Sequence, residues 1–286
     1  MPNLRRLTFA ASLVFVSNAS GLSIDYGTAE EVTFRNCIVG ATACDDISPR
    51  IDFVNGGFPG AASSSASASL AGYGTASGSV SLSGVIGAPV LTASATSAAG
   101  TRQNTNSIAL QRYTYTGATP TTRTFGGTLT YSQTLTGSYP LAVGIGVLAA
   151  IDVFTLSVSE IDVGSTADSN FDALFNPSAL PGYGEIGSQN FEATTTTANG
   201  FAALAVTLTL QPGETFWVWT ILQTPAVNGG FSDASHTLVT TWDNTAGLVP
   251  AVIAAVPEPT PLLLIATAAL AGMTMSRRRI DIRQHG

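Results

Sequence analysis

The stretch 65–83, SASASLAGYGTASGSVSLS, decides the fold. Ala, Leu, Gly and Val fill its even positions, while the odd ones are mainly Ser, Thr and Tyr. A period of two puts one set on each face of a pleated strand, whereas a helix needs apolar residues three and four apart. As one strand it would run roughly 60 Å at 3.3 Å per residue, beyond ordinary strand lengths. The pattern therefore predicts two strands, broken near Gly72, Tyr73 and Gly74.

Working outward, further β-like runs are EVTFRNCIV (31–39), SIALQRYTY (107–115), TFGGTLTYSQTLT (124–136), AIDVFTLSVSEI (150–161), FAALAVTLTL (201–210), ETFWVWTIL (214–222) and ASHTLVTTW (234–242). All are rich in β-branched and aromatic residues and bounded by turn formers. Many short strands without interleaved helical patterns predict an all-β, antiparallel β-sandwich of jelly-roll type. In ETFWVWTIL one face carries Phe216, Val218 and Thr220 and the other Trp217, Trp219 and Ile221, as expected of a central strand apolar on both sides. One helical turn is expected around 169–175, capped by Ser169. The region 53–101 holds no charged residue, and its alternation favours sheet over a low-complexity spacer.

Charge is sparse: 10% of the 286 residues are charged, all eleven basic residues are arginine, and the net charge is −7. Six of those arginines lie at the two ends, so the middle of the chain is strongly acidic and repels phosphate backbones. Nucleic acid is excluded as a partner.

The chemistry-bearing residues are few. Cys37 and Cys44 in CIVGATAC read as a local disulfide. A zinc site would want four Cys or His ligands, and between the ends there is one histidine, His236. His236 lies beside Ser232, Asp233 and Ser235, too close along the chain for a triad, and no Gly-x-Ser-x-Gly elbow occurs. Asp152, Glu160, Asp162, Glu185, Glu192 and Glu214 could supply paired carboxylates for glycoside hydrolysis, but nothing singles out a pair. Asp162, Asp168, Asn170 and Asp172 share one loop without the spacing of an EF-hand. No catalytic residue, metal or cofactor is expected.

Both ends read as processing signals. Residues 1–19 have two arginines, an apolar run and small residues, the pattern of a signal peptide. Residues 20–254 form the ectodomain. At the other end Val256, Pro257, Glu258 and Pro259 precede an uncharged run, 260–276, and Arg277, Arg278 and Arg279, with a cytoplasmic tail at 281–286. As a helix the run is roughly 25 Å long, and the arginines would hold its end on the cytoplasmic side.

This motif, helix and basic cluster, together 255–280, resemble the PEP-CTERM sorting signal of exported proteins of Gram-negative bacteria. The resemblance implies an exosortase as processing partner, an inner-membrane-anchored precursor with a periplasmic ectodomain, and delivery to the cell surface or extracellular matrix. It also implies an association with exopolysaccharide. The resulting expectation is a non-enzymatic structural or adhesive protein of a biofilm. The alternative is a carbohydrate-binding module, in which Trp217, Trp219, Trp242 or Tyr183 would stack on sugar rings. A secreted hydrolase ranks behind both.

Overall fold

The computed structural model describes residues 25–36, 51–57, 61–135, 146–157, 177–180, 182–193, 195, 197–235 and 237–251. Of Asn36 and residues 51–57 only the backbone is described.

Fourteen strands form among these residues: β1 (Tyr26–Asn36), β2 (Ile51–Gly57), β3 (Ser63–Leu70), β4 (Gly74–Ser83), β5 (Ala88–Ser97), β6 (Thr101–Tyr115), β7 (Thr121–Thr134), β8 (Leu148–Leu156), β9 (Tyr183–Glu192), β10 (Thr197–Leu210), β11 (Thr215–Val227), β12 (Phe231–Asp233), β13 (Leu238–Trp242) and β14 (Leu248–Pro250). They build two antiparallel sheets. Sheet one runs β2-β1-β6-β11-β8-β9, with β14 also on β6; sheet two runs β10-β7-β12-β5-β4-β3, with β13 between β5 and β7. The architecture is an all-β, two-sheet sandwich of jelly-roll type.

The opening stretch becomes β3 and β4, paired from Ser63↔Ser81 to Leu70↔Gly74. The break falls at the expected glycines. Gly74 has φ +132°, and a side chain there would run into the Thr96 carbonyl. Strands β12 and β13 are one line of chain interrupted near Thr237, whose φ of +83° lies in the left-handed region that β-branched residues rarely occupy.

The space between the sheets is graded. At one end Tyr113 and Phe216 from sheet one meet Phe125 and Trp242 from sheet two, with ring centroids 5.0–5.8 Å apart. At the other, Val32, Phe34 and Ala226 pack on Ala76 and Ala95. Between them the sheets approach closely, because the inward residues of β4 and β5 are small. Thr105 and Ser107 of β6 reach across and donate to the Ser94 and Thr92 carbonyls of β5, at 2.9 and 2.6 Å. Beside them lies Glu30, 0% exposed, with neither carboxyl oxygen hydrogen-bonded.

Around β8 and β11 sheet one is apolar on its outer face as well. Trp217, Trp219, Ile221, Ile108, Leu110 and Phe154 form a second buried cluster there, with Leu180 packed onto it just after the three-residue 3-10 turn Pro177–Ala179. The faces of β11 divide as the sequence predicts.

One part of the expected fold is corrected. Among the described residues no helix is long and apolar enough to cross a membrane, and the run read as a spanning helix, 260–276, lies outside them. The described residues thus form the sandwich with no transmembrane helix among them, and the membrane attachment, the exosortase partnership and the inner-membrane-anchored localisation that depended on that helix are withdrawn. Val256–Pro259, Arg277–Arg279, Cys37, Cys44 and the turn at 169–175 also lie outside the described residues.

Candidate functional site: the outer face of sheet two

Strands β3, β4 and β5 turn every second residue outward, and nearly all of those residues carry a hydroxyl. Register aligns them in rows: Ser69, Thr75 and Thr96; Ser67, Ser77 and Ser94; Ser65, Ser79 and Thr92. Across β4 and β5 the partners bond to each other, Thr75 to Thr96 at 2.7 Å, Ser77 to Ser94 at 2.9 Å and Ser79 to Thr92 at 2.8 Å. Each hydroxyl is thereby held in one rotamer and still has a free lone pair or proton to offer outward. The rows are about 6.7 Å apart along the strands, and neighbours within a row about 4.8 Å apart. A shallow depression of about 220 Å³ opens over Ser65, Ser67, Ser77, Ser79, Thr92, Ser94 and Ser235.

The pattern continues across the sheet. The row through Ser94 extends over Asp233, Ser132 and Asn199, and the row through Thr96 over Phe231, Thr134 and Thr197. Ser132 donates to Asn199 Oδ1 at 2.6 Å.

Three large apolar side chains stand out of this polar face: Phe201 on β10, 65% exposed, Phe231 on β12, 39% exposed, and Val239 on β13, 49% exposed; the first two are aromatic. Both are outward members of alternating strands. In β10 the inward residues are Ala202, Leu204, Val206, Leu208 and Leu210, which leaves Phe201 with Ala203, Ala205 and Thr207 on the exposed side. Phe201 pairs with Thr130 and Phe231 with Thr134 of the strand between them. Four residues along and two strands across put the rings' Cα atoms about 16 Å apart, the length of a few sugar rings. The alternation in FAALAVTLTL already turns Phe201 outward.

Because the hydroxyls of a rung bond to each other, removing one partner should cost little and removing both little more. Ser77→Ala is expected to lower stability by about 0.5–1 kcal/mol, and Ser77→Ala with Ser94→Ala by scarcely more. Thermal denaturation of the three variants checks this; fully additive losses would show that the rung is not a unit.

The aromatics named from sequence are placed elsewhere. Trp217, Trp219 and Trp242 are 5%, 7% and 4% exposed, the first two in the cluster outside sheet one and the third between the sheets. None can stack on a sugar. Tyr183 is half-buried against Phe154 and donates its hydroxyl to Asp152 Oδ2 at 2.8 Å.

Of the acids, the structure brings Asp152 and Glu185 near one another on β8 and β9. Burial pushes the Asp152 carboxyl up, with Glu185's charge adding to the rise and the Tyr183 hydroxyl opposing it. Glu185 instead accepts from Ser188 at 2.7 Å, and Glu214 closes a turn by accepting from the Gln211 amide. Asp152 thus points at a tyrosine in a packed cluster. Glu160, Asp162, Asp168, Asn170, Asp172 and His236 lie outside the described residues. Among the described residues no group of three or more His, Cys, Asp or Glu side chains could hold a metal ion.

No family model matches the chain, and no curated protein matches it. Among solved structures, it is similar to TmCBM61 in complex with β-1,4-galactotriose, at 10% identity and a TM-score of 0.24, over 63% of this chain and 81% of that one. A likeness so distant carries no weight for function, which rests on the face just described.

Proposed function

We propose that this protein is a non-catalytic carbohydrate-binding β-sandwich that takes an uncharged polysaccharide on the outer face of sheet two. The observation that carries the reading is the emergence of two phenyl rings, Phe201 and Phe231, from a face made mostly of Ser and Thr. A pyranose offers an apolar C–H face and a rim of hydroxyls. Phenyl rings complement the first, and fixed hydroxyl rows complement the second. Exposed phenyl groups are unfavourable in water and mark contact surfaces when they share a face.

The absence of charge from β3, β4 and β5 favours a neutral ligand, since no guanidinium or ammonium on those strands would pay for desolvating an anion. An extended chain also suits the geometry, because the rings are too far apart to hold one sugar between them.

The test is depletion binding to insoluble cellulose, chitin, β-glucan and galactan, with circular dichroism to verify folding. The wild type should be retained by at least one of them. Phe201→Ala or Phe231→Ala should each weaken that binding about tenfold, equivalent to about 1.4 kcal/mol, and the double variant should be lost from the solid. Retention of the double variant at wild-type affinity, or no retention of the wild type by any of the four, overturns the reading.

A further inference from the structure

On the outer face of sheet one, at the end away from the tryptophans, Arg35 of β1 and Arg102 of β6 stand directly opposite each other. Like charges in that relation repel. The neighbour of Arg102 on its other side, in β11, is Val227, so neither residue directly opposite Arg102 is an acid. Asp52 of β2 falls opposite Thr33, on the far side of β1 from Arg102. Glu31 is two rungs along, and its Oε2 accepts from Asn106 at 2.6 Å. Arg102 is half-buried and has no hydrogen-bond or ion-pair partner among the described residues.

Such a guanidinium loses hydration without recovering it, a cost that an anion would offset. Burial first and the charge of Arg35 second both push its pKa down, the mark of an uncompensated cation. The next rung holds a second unmet group. Asn104 gives its amide N–H to Asn106 at 2.9 Å, while its own Oδ1 is buried without a donor. One rung is about 6.7 Å along the strand. A cation and an unmet acceptor at that spacing match a small molecule carrying an oxyanion at one end and a hydroxyl at the other.

We propose that Arg102, with Arg35 opposite and Asn104 on the next rung, binds the carboxylate and a hydroxyl of a sugar acid. Arg102 provides the fork that meets a carboxylate two-to-two. Asn104 accepts from the hydroxyl once its side chain turns outward. The net charge of −7 works against densely charged polyanions, so the acid group is one presented singly. This site lies on the opposite sheet from the neutral face and stands independently of it.

The experiment is a thermal-shift titration of the full chain with sodium glucuronate, inorganic sulfate, inorganic phosphate and glucose, at ionic strength fixed with chloride. Glucuronate should raise the Tm saturably by a few degrees, and glucose should not. Arg102→Gln should remove the response while leaving the ligand-free protein at least as stable, and Arg102→Lys should shift half-saturation upward about tenfold. The Phe201→Ala, Phe231→Ala double variant should respond like the wild type, which separates this site from the neutral face. Saturation by sulfate or phosphate without glucuronate would overturn the sugar-acid assignment. An unchanged response in Arg102→Gln and Arg102→Lys, or no saturable response to any anion, would overturn the site itself.

Discussion

Replacing Glu30 by Gln is expected to raise stability by less than about 1 kcal/mol around pH 5 and by about 4 kcal/mol around pH 7.5. The reason is the position of the carboxyl. It is fully buried between the sheets, beside Ser107, whose hydroxyl already donates to the Thr92 carbonyl. Burial pushes its pKa up to about 9, with Ser107 opposing the rise. In the folded protein the group therefore keeps its proton through neutrality, while in the unfolded chain it loses it above the ordinary value of 4.5. Between those two values the folded state binds the extra proton, so stability falls as pH rises, by about 1.4 kcal/mol per unit, and levels off above the folded pKa. Glutamine has no proton to lose, and its curve lacks this slope. Urea denaturation at half-unit steps from pH 5 to 9 measures both curves. If they run parallel, Glu30 does not hold a proton in the folded state.

Much of the sandwich can be read from alternation alone. In 65–83 the period of two names both the strands and their outward faces, and the glycine break gives the hairpin. The same rule predicts the two-sided burial of β11. What alternation does not give is which of two apolar faces lies between the sheets. Trp217 and Trp219 look like available platforms because tryptophan is large and amphipathic, yet the outer face of sheet one is itself covered, with Leu180 in its cluster. Phe201 shows the converse. Its exposure is written in the even-numbered leucines and valine that follow it, but a lone phenylalanine at the head of an apolar run reads as core unless the phase of the strand is followed to its end. Arg35 and Arg102 are 67 residues apart, and only the pairing of β1 with β6 makes them neighbours. Such a contact depends on register, which single-strand patterns leave open. The carboxyl of Glu30 is also hidden from the pattern: the strand-like run EVTFRNCIV begins at Glu31, and the acid before it sits on the inward phase with Val32 and Phe34.

The second large effect concerns the residue that makes room for that carboxyl. Gly78 lies in β4 on the inward phase, between Ala76 and Val80. A Cβ built there would sit 2.8 Å from Ser107 Oγ and 2.8 Å from Thr105 Cγ2, and closer still to Glu30 Oε2. Ser107 and Thr105 are tied to β5 by their hydrogen bonds and cannot retreat without giving them up. Glu30 is closed off from solvent and cannot swing out into it. Gly78→Ala is therefore expected to cost about 2–3 kcal/mol, at the upper end for one added methyl group in a packed interior. The cost should depend on the acid. In a Glu30→Ala background the tightest of the three contacts disappears, and the same methyl group fills part of the space the carboxylate leaves. The double variant should then be more stable than the sum of the single losses predicts, with a coupling of about 1–2 kcal/mol. Urea denaturation at pH 5, where Glu30 is neutral in the folded protein, isolates the steric part of this coupling from the ionisation that drives the first prediction. Strict additivity there would mean that β4 moves away from sheet one as a unit, and that glycine at this position is not set by the carboxyl it faces.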